Sequence, residues 1–331
     1  MRIMGQSGHG EPAIVYMAEM RPECYIEFVE SVQPPYPRNE KWVLIVSTLY
    51  GCPVRCRMCD AGGWYKGALS ADDIFAQIDF LVKSRYPDKN IPASKFKIQF
   101  ARMGEPSLNG KVLSVLEELP SRYNAPGLMP CLSTVAPFGT DMFFERLTDI
   151  KNRRYRDGKF QMQFSIHSTC EMTRDMIIPI KKWNLDKIAK YGTAFYHTGD
   201  RKVALNFALA ENYPVSADVI AEKFDPKIFM AKFTPVNPTI NAEINGIVNL
   251  VNDNNRRKID NLLNELNKFG FEVILSIGEL EENRIGSNCG QYIRRYINTG
   301  TRPDAGYDSD CQRILPATES RNQTDYIATR T

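Results

Sequence analysis

The chain has 331 residues, 43% hydrophobic and 24% charged, with a formal net charge of +3. Those proportions suit a globular fold, and no apolar run reaches the ~20 residues that a membrane-spanning helix needs. So slight a positive balance permits a nucleic-acid partner without arguing for one.

In chain order, residues 1–40 read as an N-terminal extension, irregular and rich in Pro and Gly, with a short strand pair over 25–32. The opening residues hold no apolar signal core, which predicts a cytoplasmic protein with no membrane association. The β-branched run at 42–48 reads as a strand that delivers the chain into a cysteine-rich loop. Ser70 and Asp73 precede Ile74, Phe75, Ile78, Leu81 and Val82, the pattern of a capped amphipathic helix. Further strands are expected over 97–101, 129–134, 161–167, 203–209 and 228–233, with helices at 112–119, 142–155, 185–191 and 216–224 between them. Ile259, Leu262, Leu263 and Leu266 line a helix face ending at Gly270, with a strand at 271–276. About six strand–helix units in succession predict an α/β fold, a parallel sheet curled into a partial (β/α)6 barrel. The barrel is expected over 41–300 and a C-terminal tail over 301–331. Its chemistry should gather at the carboxyl ends of the strands.

Cys52, Cys56 and Cys59 form a Cys-x-x-x-Cys-x-x-Cys run, entered through Gly51 and left through Gly62-Gly63. Such a loop can turn three thiolates toward one face of a cubic iron–sulfur cluster. A four-iron cluster ordinarily takes four cysteines, so three leave one iron open to a ligand. Zinc would want four ligands in paired sets, yet no second pair exists and His9, His167 and His197 are scattered. A disulfide framework belongs to small secreted domains. Cys24, Cys131, Cys170, Cys289 and Cys311 therefore read as reduced thiols. The run resembles the signature of the radical S-adenosylmethionine superfamily. That resemblance implies a 4Fe-4S cluster whose open iron is chelated by S-adenosylmethionine, which one electron cleaves to a 5′-deoxyadenosyl radical.

Polar residues follow the expected strands. Gly104 lets a strand edge approach a ligand and Glu105 offers an acceptor for an ammonium. Read alone, Gly-Glu-Pro is a turn; behind a strand in a chain with the thiol loop, it reads as cofactor-binding. Ser133 and Ser165 end strands, where hydroxyls are often mere turn formers, but both can reach a ribose or carboxylate. His167 and Asn237 follow the same logic, and a lone His or a turn Asn is their bland alternative.

Taken in order, these pieces resemble the RlmN/Cfr type of radical-SAM RNA methyltransferase. The matching residues are the Cys52/Cys56/Cys59 loop, Met103 to Pro106, Leu132 to Thr134, Ser165 to His167 with Arg174-Asp175 and Ile178 to Ile180, Val236 to Pro238, and Cys289-Gly290-Gln291. The resemblance implies methylation of an adenosine carbon in ribosomal or transfer RNA, with flavodoxin or ferredoxin as external electron donor. It makes Cys289 a catalytic residue that first takes a methyl group by displacement and then surrenders it as a carbon radical. It aligns Glu30 with a catalytic acid–base glutamate, whose bland reading is an exposed strand carboxylate.

Two departures stand out. Where the family carries a resolving cysteine, this chain has Ile45, so Cys24, Cys170 or Cys311 must stand in, or the adduct is resolved differently. The family's N-terminal helical domain has no counterpart ahead of the barrel, and RNA contacts fall to basic clusters at 153–156, 256–258 and 294–296. The leading expectation is a methyl synthase acting on an sp² carbon. Its rivals are a radical enzyme of the same scaffold acting on a small molecule or peptide, and a non-catalytic iron–sulfur RNA-binding or sensing protein.

Overall fold

The computed structural model describes residues 1–8, 12–32, 35–276 and 291–303. Its centre is a ten-stranded sheet. Three antiparallel strands, β1 (Arg2–Ser7), β2 (Ala13–Arg21) and β3 (Cys24–Ser31), lead into β4 (Lys41–Val46). From β4 onward every pairing is parallel, through β7 (Lys95–Phe100), β8 (Leu128–Thr134), β9 (Gln161–Ser165), β10 (Val203–Leu209), β11 (Phe229–Pro235) and β12 (Glu272–Leu275). The sheet keeps two edges, at β1 and β12, so the barrel is partial. The short strands β5 (Leu49–Tyr50) and β6 (Gly67–Ala68) pair with each other and bracket the thiol loop.

The connecting helices are α1 (Ala71–Arg85), α2 (Lys111–Arg122), α3 (Asp141–Arg154), α4 (Glu171–Ile177), α5 (Leu185–Phe195), α6 (Ala217–Lys223), α7 (Ile240–Ile244) and α8 (Arg256–Lys268), with α9 (Gln291–Thr299) closing the described chain. The α1 start matches its sequence cue. Ser70 Oγ accepts from the Asp73 amide at 3.0 Å and Asp73 accepts in return from the Ser70 amide at 3.1 Å, a reciprocal capping box. Among the described residues no helix is long and apolar enough to cross a membrane.

Strand alternation separates two environments. On β7 the outward Phe96, Ile98 and Phe100 are fully buried under the helices, whereas the inward Lys95, Lys97 and Gln99 stay half-exposed. On this strand the outer face therefore carries the hydrophobic core and the concave face the polar side chains. Residues 2–31, expected to be largely irregular, are instead three strands of this sheet. Their inward row is apolar at Val15, Met17 and Val29, all nearly fully buried, and the residues that cover it include Tyr292 and Ile293 of α9. That partner lies some 260 residues downstream, beyond the range of any local sequence pattern.

Candidate active site

The expected cluster and cofactor residues lie at the carboxyl ends of the parallel strands. The thiol loop follows β4, Gly104 and Glu105 follow β7, Ser133 sits near the end of β8, Ser165 closes β9, and Asn237 lies just past β11.

The loop turns at Gly51, whose φ of +73° and tight approach to the Trp64 backbone, 2.9 Å from where a Cβ would stand, admit only glycine without strain. Cys52 and Cys56 pack beside Val54, Ile177 and Ile178, and Cys59 beside Ala61, Met103 and Ile293. Burial pushes the Cys52 thiol up to about 12 and the Cys56 thiol higher still, each repelled further by the Glu105 carboxylate. Thiolates here need a cation supplied from outside the chain. Among the described residues no three His, Cys, Asp or Glu side chains close around a single ion. Three thiols along one loop, walled by apolar groups and short of compensating charge, fit the donor set of an iron–sulfur cluster held by Cys52, Cys56 and Cys59.

Gly104 brings β7 against that loop. Its φ is +99°, and a Cβ there would meet Leu49 Cγ at 2.5 Å. The Met103 carbonyl accepts from the Thr48 and Leu49 amides at 2.8 and 3.2 Å, which clamps the strand end to the loop entrance. Glu105 turns toward the protein rather than outward. Its carboxylate accepts from Ser107 N (3.1 Å), Ser107 Oγ (2.6 Å), Thr134 Oγ1 (2.5 Å) and Val135 N (2.9 Å). Burial raises its pKa, and these donors oppose the rise. Its geometry ties β7 to β8 and leaves little acceptor capacity for a ligand ammonium.

Ser133 accepts from Gln163 Nε2 at 3.1 Å, while Ser165 is half-exposed and Asn237 exposed. His167 holds a left-handed backbone, φ +64°, and its Nδ1 accepts from the Ala208 amide at 3.2 Å. That bond assigns the proton to Nε2, which is left as the donor. Burial, reinforced by the Arg174 cation, lowers the His167 pKa to about 4. Against an ordinary value near 6.5, the unfolded chain binds this proton first as the pH falls. His167 should therefore leave stability unchanged above pH ~6.5 and erode it progressively toward pH ~4. Comparing urea unfolding of the protein and its His167→Gln variant across that window checks the sign, since the variant should lose this slope.

Several residues that sequence reasoning missed complete the arrangement. Asn206, inward on β10 and level with Ser165, has a buried Oδ1 without a partner among the described residues, an acceptor open to a ligand hydroxyl or amine. Asp60, fully buried beside Cys59, accepts from Ile240 N (2.9 Å), Asn241 N (2.8 Å) and Arg294 Nη1 (2.7 Å). It thereby caps α7 and ties α9 to the thiol loop. Asn241 Nδ2 to the Cys59 carbonyl (2.6 Å) and Thr239 Oγ1 to the Met58 carbonyl (2.8 Å) lock the same segment. Glu27, inward on β3, pairs with Arg102 at 2.5 Å and accepts from Ile293 N at 2.9 Å.

Glu30 is not brought to this face. Three residues from Glu27, it points outward, buried, where Arg85 Nη2 (2.5 Å) and Trp42 Nε1 (3.3 Å) hold it. A strand reverses its side chains at each residue, so Glu27 and Glu30 necessarily face opposite ways. Cys289 and Cys311 lie outside the described residues. Of the other thiols, Cys24 packs in the outer core and Cys170 precedes α4. Cys131 faces inward on the rung that runs from Ile45 through Gln99.

No family model matches the chain. The protein described as "Probable dual-specificity RNA methyltransferase RlmN" in Synechococcus sp. (strain CC9311) is 24% identical over 210 residues, 60% of this chain and 58% of that one. Its namesake in Desulfitobacterium hafniense (strain DSM 10664 / DCB-2) is 24% identical over 280 residues, 81% of this chain and 73% of that one. The chain thus spans under two thirds of the first relative and about three quarters of the second. A crystal structure of a radical SAM methyltransferase from Sphaerobacter thermophilus superposes with a TM-score of 0.67 at 17% identity, over 87% of this chain and 80% of that one, which shows the fold. The chain is thus similar in sequence to proteins described as RNA methyltransferases RlmN and in fold to a radical SAM methyltransferase.

Proposed function

We propose that this protein is a radical-SAM methyl synthase that carries a methyl group on Cys289 and delivers it to an sp² carbon of RNA, adenosine in ribosomal or transfer RNA being what the resemblance to the RlmN/Cfr type implies. Bound at Cys52, Cys56 and Cys59, the cluster with S-adenosylmethionine supplies a one-electron route to hydrogen abstraction, fed by a flavodoxin or ferredoxin. The chain's own groups do the rest. Apolar walls from Val54, Ile177, Met103 and Ile293 keep water from the thiols. Ser165, Asn206 and the Nε2 proton of neutral His167 offer one hydroxyl, one acceptor and one donor at neighbouring strand tips to orient a nucleoside.

The observation that carries the reading is the docking of α9. Its first turn is held by Glu27 through the Ile293 amide, and its Arg294 by Asp60 beside Cys59. Cys289 precedes Gln291 by two residues, a reach of at most ~7 Å. The carrier sulfur is thereby tethered to the helix that touches the thiol loop. Incubating the anaerobic, cluster-loaded protein with methyl-labelled S-adenosylmethionine should place the label on the Cys289 peptide, with none on Cys289→Ala. An unlabelled Cys289 peptide would sink the carrier role.

The small-molecule rival is favoured by one feature, Ile45 in place of the family's resolving thiol. With Cys24 in the outer core and Cys170 beyond the strand tip, the inward thiol on Ile45's own rung is Cys131. Salt-sensitive RNA binding would decide for the RNA substrate, because phosphate contacts release counterions.

A further inference from the structure

At the amino-terminal ends of the parallel strands, the concave face is lined with cations. Lys41 and Lys95 are register partners on β4 and β7, and Lys97 follows on the same face one rung higher. Lys232 points inward from the middle of β11 as the register partner of Asn206, and Arg201 stands just before β10 with its Nε donating to the Gly158 carbonyl at 3.1 Å. All four lysines are half-exposed while their outward neighbours Trp42, Phe96, Ile98 and Ala231 are fully buried. At these lysines the concave face is therefore polar and reaches solvent, unlike a closed barrel packed with apolar layers.

Among the described residues Lys95, Lys97 and Lys232 have no carboxylate at ion-pairing distance. Glu272, the one inward acid of the parallel strands, lies 3.9 Å from Lys202. Burial first, then repulsion from the neighbouring cations, pushes Lys41 and Lys232 down to about 8 and lowers Lys95. Like charges gathered in a cleft with low-dielectric walls raise the local potential and concentrate counter-ions. Compensating several ammonium groups at once calls for a multiply charged oxyanion, which lysines bind as point charges.

We propose that the amino-terminal half of the barrel interior binds a phosphate-bearing anion, held by Lys95, Lys97 and Lys232 with Lys41 and Arg201 at its rim. The site opens at the amino-terminal ends of β4 and β7, away from the thiol loop, with Lys232 marking its upper limit on the Asn206 rung, and it does not rest on the methyl-synthase reading.

Calorimetric titration of the full, cluster-loaded protein with pyrophosphate at low ionic strength tests it. One saturable site is expected, weakened about tenfold or more in Lys97→Met and in Lys232→Met, and about threefold or less in Lys97→Arg. Without ligand, both neutral variants should melt no lower than the parent, because each relieves repulsion. Absence of saturable binding in the parent, or undiminished binding in both neutral variants, overturns the site. Displacement of pyrophosphate by a nucleoside triphosphate alone identifies a free phosphorylated small molecule. Displacement by a 5′-phosphorylated oligoribonucleotide identifies an RNA terminus.

Discussion

Replacing any one of Cys52, Cys56 and Cys59 by alanine is expected to abolish the visible absorbance of the anaerobically reconstituted protein and its reductive cleavage of S-adenosylmethionine, to below ~1% of the parent. A four-iron cluster already short of one protein ligand cannot lose a second and keep a defined open site. The apoprotein should survive the change. Cys52, Cys56 and Cys59 lie at the edges of two small apolar clusters rather than in the main core, and trimming one sulfur there costs about 1 kcal/mol. Cys24→Ala is the control, since its sulfur packs in the outer core. Iron content, spectrum and 5′-deoxyadenosine yield should be lost together in the three loop variants and retained in the control. Turnover that persists in any loop variant would remove the cluster from the mechanism.

Much of this arrangement is legible in the sequence because it is locally encoded. The thiol spacing, the Ser70 cap and the β-branched runs of the parallel strands each sit within a dozen residues. What escapes is whatever depends on partners distant along the chain. The inward row of β2 and β3 is apolar only because α9 covers it. Asp60 reads as an ordinary loop acid until residues 240, 241 and 294 donate to it. Glu105 invites reading as a ligand acceptor, yet Thr134 and Val135 on the next strand claim its oxygens. Glu30 and Glu27 are indistinguishable by residue type, and only the pleat decides that the inward one is Glu27. One signal was available: the alternation of Ile26 and Phe28 with Glu27 puts Glu27 on the face opposite the apolar row.

Glu27→Gln should be the most destabilising single change outside the thiol loop, by about 3–5 kcal/mol in denaturant unfolding. Glu27 and Arg102 are both almost wholly shielded from water, and removing the carboxylate charge takes the paired anion from a buried guanidinium. Against a total stability of roughly 5–15 kcal/mol, a loss of that size is decisive. Replacing both partners with methionine should recover most of it, because two apolar side chains carry no desolvation debt. Function should not recover in parallel. Glu27 also accepts the Ile293 amide, so the double variant leaves the first turn of α9 without that acceptor while sparing the thiol loop. If the methyl carrier depends on this helix for its position, the double variant should keep its iron and its cleavage of S-adenosylmethionine but label Cys289 at least ~10-fold more slowly, the scale on which misplacing a reacting group is felt. Parallel recovery of stability and labelling would show instead that α9 is positioned without Glu27, through the Arg294–Asp60 pair alone.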